Sequence, residues 1–266
     1  MIIGCGFMFL PKIKFREMTV EENIETIKWA YYENNGDLSV HDYTIEYFPE
    51  LAVFDANTPK EIVYKKIEEV VANEYSQYEE RIKNETKRYN TIWKKYNDEY
   101  FLLLSNFLNV KWPEIKIIEG RVGLIPVFPR YLDECSFSVG AGFQDWFLIK
   151  TTAHESLHFI WFQKWKEMHP EIPRREYDSP YISWKYSEMV TDPILNNKPF
   201  CNLFGNIFIE KGYDSFYEIK DGDNLVMDVL RDIYSKDISI EEKINQGFEY
   251  INIILNNKVN ERIAKK

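Results

Sequence analysis

Apolar residues recur at helical spacing over much of the first hundred positions. Thr19-Val20-Glu21-Glu22 has the form of a capping box, and an amphipathic run follows it to Tyr32, where Asn34-Asn35-Gly36-Asp37 stops it. Thr58-Pro59-Lys60-Glu61 reads as a second capping box with proline at the first helical position. From there Ile67, Val71, Tyr75, Tyr78, Ile82, Tyr89, Trp93, Tyr96 and Tyr100 keep a helical period. No proline or glycine interrupts it before Pro113, so the pattern predicts one long helix or two with a break near Asn97-Asp98.

The texture changes after Trp112-Pro113. Ile115 to Ile118, Val122 to Phe128 and Cys135 to Val139 are short β-prone runs that predict a small sheet. Ser136-Phe137-Ser138-Val139 alternates polar and apolar, the pattern of a half-exposed strand, and Gly140-Ala141-Gly142 ends it. Asp145 can cap a helix running to about Lys166. Further helices are expected over Tyr181 to Thr191, ended by Pro193, over Asn224 to Tyr234, and over Ser239 to Asn257, with a turn at Asn196-Asn197-Lys198-Pro199. The fold class predicted is α+β and mostly helical. Its proposed division is a helical N-terminal region over 1–110 and a second domain over 111–266.

Composition narrows the function classes. Hydrophobic residues make up 45% of the 266 residues and aromatics 16%, which marks a folded globular chain. The net charge of −10 argues against nucleic acid as a partner, because binding phosphate requires a basic surface. Met1 to Leu10 is apolar but lacks a basic leader and is cut short by Pro11, so it is expected to be a short buried strand and not a signal peptide. No stretch reaches the ~18 uncharged apolar residues of a membrane span, and a cytoplasmic location is the expectation. Cys5, Cys135 and Cys201 are too few and too far apart for a disulfide framework and are expected to be buried free thiols.

The candidate chemistry lies on the helix after the sheet. His154-Glu155-Ser156-Leu157-His158 holds two of the four histidines in the chain. Histidines four apart on a helix share one face, so both imidazoles can reach one metal ion, and Glu155 beside them is available as a general base. Ala153, Ser156, Leu157, Phe159 and Ile160 are uncharged, as a buried metal-lining helix requires. A third ligand is needed. His169 and His41 are poor candidates by position. Glu188, thirty residues past His158, can return on a second helix, and Asp192 lies one turn after it, where a carboxylate could take the free N–H of a ligating imidazole.

His154-Glu155-x-x-His158 followed by Glu188-x-x-x-Asp192 resembles the gluzincin metallopeptidases, the thermolysin-like branch of the zincins. The resemblance covers about residues 136–192. It implies one zinc ion held by His154, His158 and Glu188, Glu155 as the base, and Asp192 supporting a histidine. It also implies a zincin-like sheet whose edge strand, here Ser136 to Val139, pairs with bound peptide. Two departures stand out. The glycine and histidine of the metzincin extension are replaced by Trp161 and Lys164, and no histidine follows His169, so a tyrosine (Tyr181, Tyr186, Tyr213 or Tyr217) or an arginine must stabilise the transition state. The function expected is a zinc-dependent metallopeptidase acting on peptide or protein substrates, with neither nucleic acid nor membrane as partner. The alternatives are a non-catalytic, metal-stabilised binding module that uses its helical region, and a hydrolase of non-peptide amides.

Overall fold

A computed structural model describes residues 10–33, 40–110, 115–125, 127–205 and 209–264, with side chains to residue 256. The strand expected within residues 1–10 and the turn expected at 34–37 fall almost wholly outside them. The chain divides into two compact units. The first comprises residues 1–98 and 113–155, and the second 99–112 and 156–266. Both units therefore draw on sequence from either side of residue 110. The boundary between them falls inside two helices, between Asp98 and Glu99 and between Glu155 and Ser156.

The first unit opens on strand β1, Lys12–Glu17, inside the region whose pattern reads as helical. Helices α1 (Val20–Tyr32), α2 (Val40–Tyr47) and α3 (Lys60–Trp93) follow, and α4 (Asn97–Leu108) begins after a break at 94–96. The α1 cap forms as the sequence predicts. The Thr19 hydroxyl accepts from the Glu22 amide, and the Glu22 carboxylate accepts from the Thr19 amide. The second predicted box does not form. Pro59 is the capping residue of α3, and the Thr58 hydroxyl accepts from the Asp55 amide 3.1 Å away, closing a local turn instead.

Three further strands follow: β2 (Ile117–Gly123), β3 (Arg130–Tyr131) and β4 (Ser136–Gly140). The sheet order is β1-β2-β4-β3, with β1, β2 and β4 parallel and β3 antiparallel to β4. The first two predicted β-runs are thus joined in one strand that spans the end of the first and the start of the second, and Leu124, Ile125, Val127 and Phe128 lie outside any strand. Strand β4 departs from both expectations made for it. It is flanked on both sides, so it is not an edge, and all five of its residues are buried, so it is not half-exposed. Parallel strands joined by crossover segments are covered on both faces, which removes the solvent side that an alternating pattern implies.

β1 is an edge strand, and side chains of the helices cover its open edge. Asn90 on α3 accepts from the Phe15 amide at 3.0 Å and donates to the Phe15 carbonyl at 2.8 Å. Asn97 accepts from the Ile13 amide at 3.1 Å and donates to the Pro11 carbonyl at 2.9 Å. Two amides thereby stand in for a missing strand and block edge-to-edge pairing. Tyr89 ties α3 to the end of β4 by donating to the Gly140 carbonyl at 2.8 Å.

Helix α5, Asp145–Met168, begins in the first unit and continues into the second. The second unit also contains α6 (Ile182–Leu195), α7 (Lys198–Phe204), a two-residue hairpin of β5 (Lys220–Asp221) and β6 (Asn224–Leu225), α8 (Val226–Ser235) and α9 (Ile240–Ala264). Pro193 does not end α6 but lies inside it, so Asp192 is helical, contrary to the sequence expectation. Residues Lys198 and Pro199, expected in a turn, open α7, where proline suits the first turn. The core of this unit is aromatic. The rings of Trp161 and Trp165 stack with centroids 5.0 Å apart, and Tyr186 and Phe248 pack against Trp165. The Tyr186 hydroxyl, fully buried, donates to the Ile244 carbonyl at 3.0 Å and lies 3.1 Å from that of Tyr234.

The fold is α+β and mostly helical, with a small mixed sheet. No helix among the described residues is long and apolar enough to cross a membrane. Cys135 and Cys201 are free and half-buried, less enclosed than expected.

Candidate metal centre

The middle of α5 is apolar on every side. Ala153, Leu157, Ile160, Trp161 and Trp165 are each fully buried, and Phe159 is nearly so. A helix hydrophobic all round is a core helix, and polar side chains within it must find partners or a cation. His154, Glu155, Ser156 and His158 are those side chains. His158 is completely enclosed and Glu155 is 6% exposed, while His154 is half-buried.

Glu188 is carried to them by α6, in a run of buried residues from Tyr186 to Leu195. The ligand atoms of His154, His158 and Glu188 all lie within 4.8 Å of one another, and this buried group can hold a metal ion. His158 Nε2 and Glu188 Oε1 are 3.4 Å apart. Two ligands each about 2.0–2.1 Å from a tetrahedral ion are separated by about 3.3 Å, so this pair already has the required spacing. The donor set also suits such an ion: two imidazoles and one carboxylate leave a fourth position open. The structure thus brings together the three ligands proposed from sequence, with Glu155 between the two histidines.

Asp192 does not join them. Its carboxylate, 1% exposed, accepts from Tyr217 Oη at 2.6 Å, from Arg231 Nε at 3.0 Å and Nη2 at 2.7 Å, and from Asn196 Nδ2 at 3.2 Å. A bidentate guanidinium and a phenol hold it, in the place of the imidazole expected there. The bond to Asp192 holds the Arg231 guanidinium above its ordinary range, whereas burial first, then Asp192, raises the Tyr217 phenol.

The remaining sequence candidates separate by environment. Tyr186 is locked in the aromatic core, and burial pushes its phenol well above the usual value. Tyr217 is committed to Asp192. Tyr213 packs against Trp184 and Phe216, and Tyr181 caps α6 with 41% of its surface exposed. His41 Nδ1 lies against the Tyr31 carbonyl, and His169 Nδ1 is 3.5 Å from Glu171, so neither belongs to the cluster.

One residue near the centre has no sequence signal. Arg130, at the start of β3, places Nη1 3.4 Å from Glu155 Oε2, and the two side chains are 9% and 8% exposed. Twenty-five residues separate them in the chain, and neither helical nor strand periodicity links them. Comparison with protein-family models, with curated proteins and with solved structures returns no match.

Proposed function

We infer that the protein is a zinc-dependent metallopeptidase that hydrolyses peptide bonds with a glutamate-activated water. The observation that carries this reading is the convergence of His154, His158 and Glu188 in one buried cluster, with Glu155 on the same helix. A zinc ion held there would polarise a substrate carbonyl and lower the pKa of a water toward neutrality. The resemblance of His154-Glu155-x-x-His158 and Glu188 to the gluzincin pattern supports the same reading.

The chain's own residues supply the rest. Glu155 takes a proton from the attacking water and delivers it to the leaving amine as the C–N bond breaks. Its burial beside apolar residues keeps bulk water from competing for that proton. His154 and His158 are set by the helix one turn apart, which fixes their spacing without loop entropy.

Replacing Glu155 with Gln tests the reading directly. The variant is expected to take up one zinc per chain and to cleave a mixed peptide library at least a hundredfold more slowly, roughly the contribution of a general base. His158→Ala and Glu188→Ala are expected to lose zinc. Full turnover by Glu155→Gln would overturn the mechanism, and retention of zinc by Glu188→Ala would remove the third ligand. Stoichiometric zinc without any cleavage by the unaltered protein would favour a binding module.

A further inference from the structure

We propose that the polar face of the sheet carries a second binding site, for a free α-amino acid with a small side chain. Paired residues on adjacent strands share a face, so the pairs Arg121–Ser138, Glu119–Ser136 and Tyr131–Ser136 put all five residues on one side of the sheet. Arg130 and Phe137 lie on the other, where Arg130 approaches Glu155. On the first side is a cavity of about 120 Å³, lined by Ser138 of β4, Arg121 of β2, Tyr131 of β3, Glu22 and Glu25 of α1, and Met18 just before α1. All belong to the first unit. The site stands whether or not the peptidase reading holds.

The floor of the cavity calls for a hydrogen-bond acceptor. Ser138 is 2% exposed, and its Oγ meets no hydrogen-bond partner in the protein. Arg121 Nε, on the neighbouring strand, is also buried without one, since Glu119 Oε2 at 3.7 Å is beyond reach. Glu134 Oε2 accepts from Nη2 of the same guanidinium at 2.5 Å and so fixes the fork in place. The hydroxyls of Tyr131 and Thr26 are bonded to each other, which leaves the floor to Ser138 and Arg121. Buried donors are normally satisfied, and a carboxylate would accept from both, with a charge-assisted bond to the guanidinium. The rim has the opposite demand. The Glu25 side chain is 72% exposed, and Lys28 bonds to one of its oxygens, Oε1, so the second remains for a donor. Glu22 is engaged by Arg16 and the Thr19 amide and adds negative charge to the wall. A simple anion would meet two carboxylates there, and a simple cation would leave the buried donors unsatisfied. A zwitterion answers both, with its carboxylate on Ser138 and Arg121 and its ammonium toward Glu25. It also adds no net charge to a chain that carries −10. Met18, 3% exposed, offers its adaptable thioether to a small apolar side chain. The volume equals that of roughly four waters, which suits glycine or alanine and excludes an aromatic amino acid.

The test uses the full chain, unaltered and as Ser138→Ala and Glu25→Gln. Calorimetric titration measures the Kd of L-alanine, with glycine, acetate, methylamine and L-phenylalanine as comparisons. L-alanine and glycine are expected to bind one per chain with Kd below about 1 mM, and the other three at least about tenfold more weakly. Ser138→Ala should weaken L-alanine about fivefold or more while its urea midpoint stays or rises, because the variant deletes a buried hydroxyl that no protein group satisfies. Glu25→Gln, at an exposed position, should weaken L-alanine by a similar factor and leave acetate unchanged. Acetate or methylamine binding as tightly as L-alanine would overturn the proposal, because one charged end would then suffice. Failure of every probe to saturate at about 10 mM would also overturn it and leave a cavity that holds water only. So would L-alanine binding that ignores both substitutions, which places the ligand elsewhere. Should Ser138→Ala not fold, Glu25→Gln and the acetate comparison decide by themselves.

Discussion

Glu188 and Asp192 stand one helical turn apart on α6 and serve different ends. Glu188 joins His154 and His158 in the candidate metal group, while Asp192 is taken by Arg231 and Tyr217. Two effects of Asp192→Asn are therefore separable. A residue that orients a metal-binding imidazole costs about 10–100-fold in metal affinity when altered. A residue that only neutralises a half-exposed arginine and satisfies a phenol costs stability, here about 1–3 kcal/mol. The structure predicts the second outcome: a lower urea midpoint for Asp192→Asn with zinc affinity within about threefold of the original. A tenfold loss of zinc affinity would restore the role first read from the sequence. The candidate histidine ligands were legible there, because histidine is rare and a helix fixes the geometry of i and i+4. Arg130, Tyr217 and Arg231 were not, since their partners are defined by how separate elements pack.

Among the elements, α1 followed its sequence most closely, because a capping box is a local device that needs nothing distant. Glu22 does more than cap. Arg16 of β1 grips its carboxylate with two bonds of 2.7 Å, and that grip is the main cause holding it below the usual carboxylate range. A depressed folded pKa stabilises above the unfolded value of about 4.3 and is lost as pH falls through the folded one. Glu22→Gln is expected to lower stability by about 1 kcal/mol at pH 7, the scale of one cap and one partly exposed ion pair. The difference from the unaltered protein should shrink below pH 4. A constant difference in urea midpoint between pH 7 and pH 3 would show that the charge of Glu22 contributes nothing.

Where sequence misled about elements, tertiary partners had overridden local preference. Lys12–Glu17 does alternate, with Ile13 and Phe15 buried, but it is short and its parallel partner begins at Ile117, a hundred residues on. Proline usually halts a helix by removing a donor and crowding the preceding turn. In α6 the residues around Pro193 are buried from Tyr186 to Leu195, and that packing carries the helix two residues further. Gly247, in the interior of α9, marks a close approach for the same reason. A Cβ there would collide with the Tyr186 hydroxyl, the hydroxyl that bonds one turn earlier to the Ile244 carbonyl.

Across the whole molecule, aromatic burial dominates both units. Tyr89 in the first, and Tyr100, Tyr186 and Tyr234 in the second, are at most 2% exposed. Burial pushes each phenol upward, that of Tyr89 to about 12. Raised folded values stabilise fully below the unfolded tyrosine pKa of about 10 and lose that contribution as pH climbs toward the folded values. Each such phenol then costs about 1.4 kcal/mol of stability per pH unit above 10. The urea midpoint is expected to fall steeply from pH 10 upward, and tyrosinate absorbance of the folded protein at pH 11 should lag that of the unfolded chain. Coincident titration of folded and unfolded chains would contradict the burial of these rings.

The sequence by itself determined what depends on near neighbours. A rare-residue motif at helical spacing, a capping box and a change from helical to β texture named the α+β class, the helix that carries the candidate site and the three candidate ligands. Only the tertiary structure decided which strands pair, that β4 lies inside the sheet, that Asp192 faces an arginine, and that Arg130 faces Glu155. Those outcomes depend on contacts that join separate elements, between residues 5 to 105 positions apart. Such contacts are set by the shape of packed surfaces, and no period along the chain encodes them.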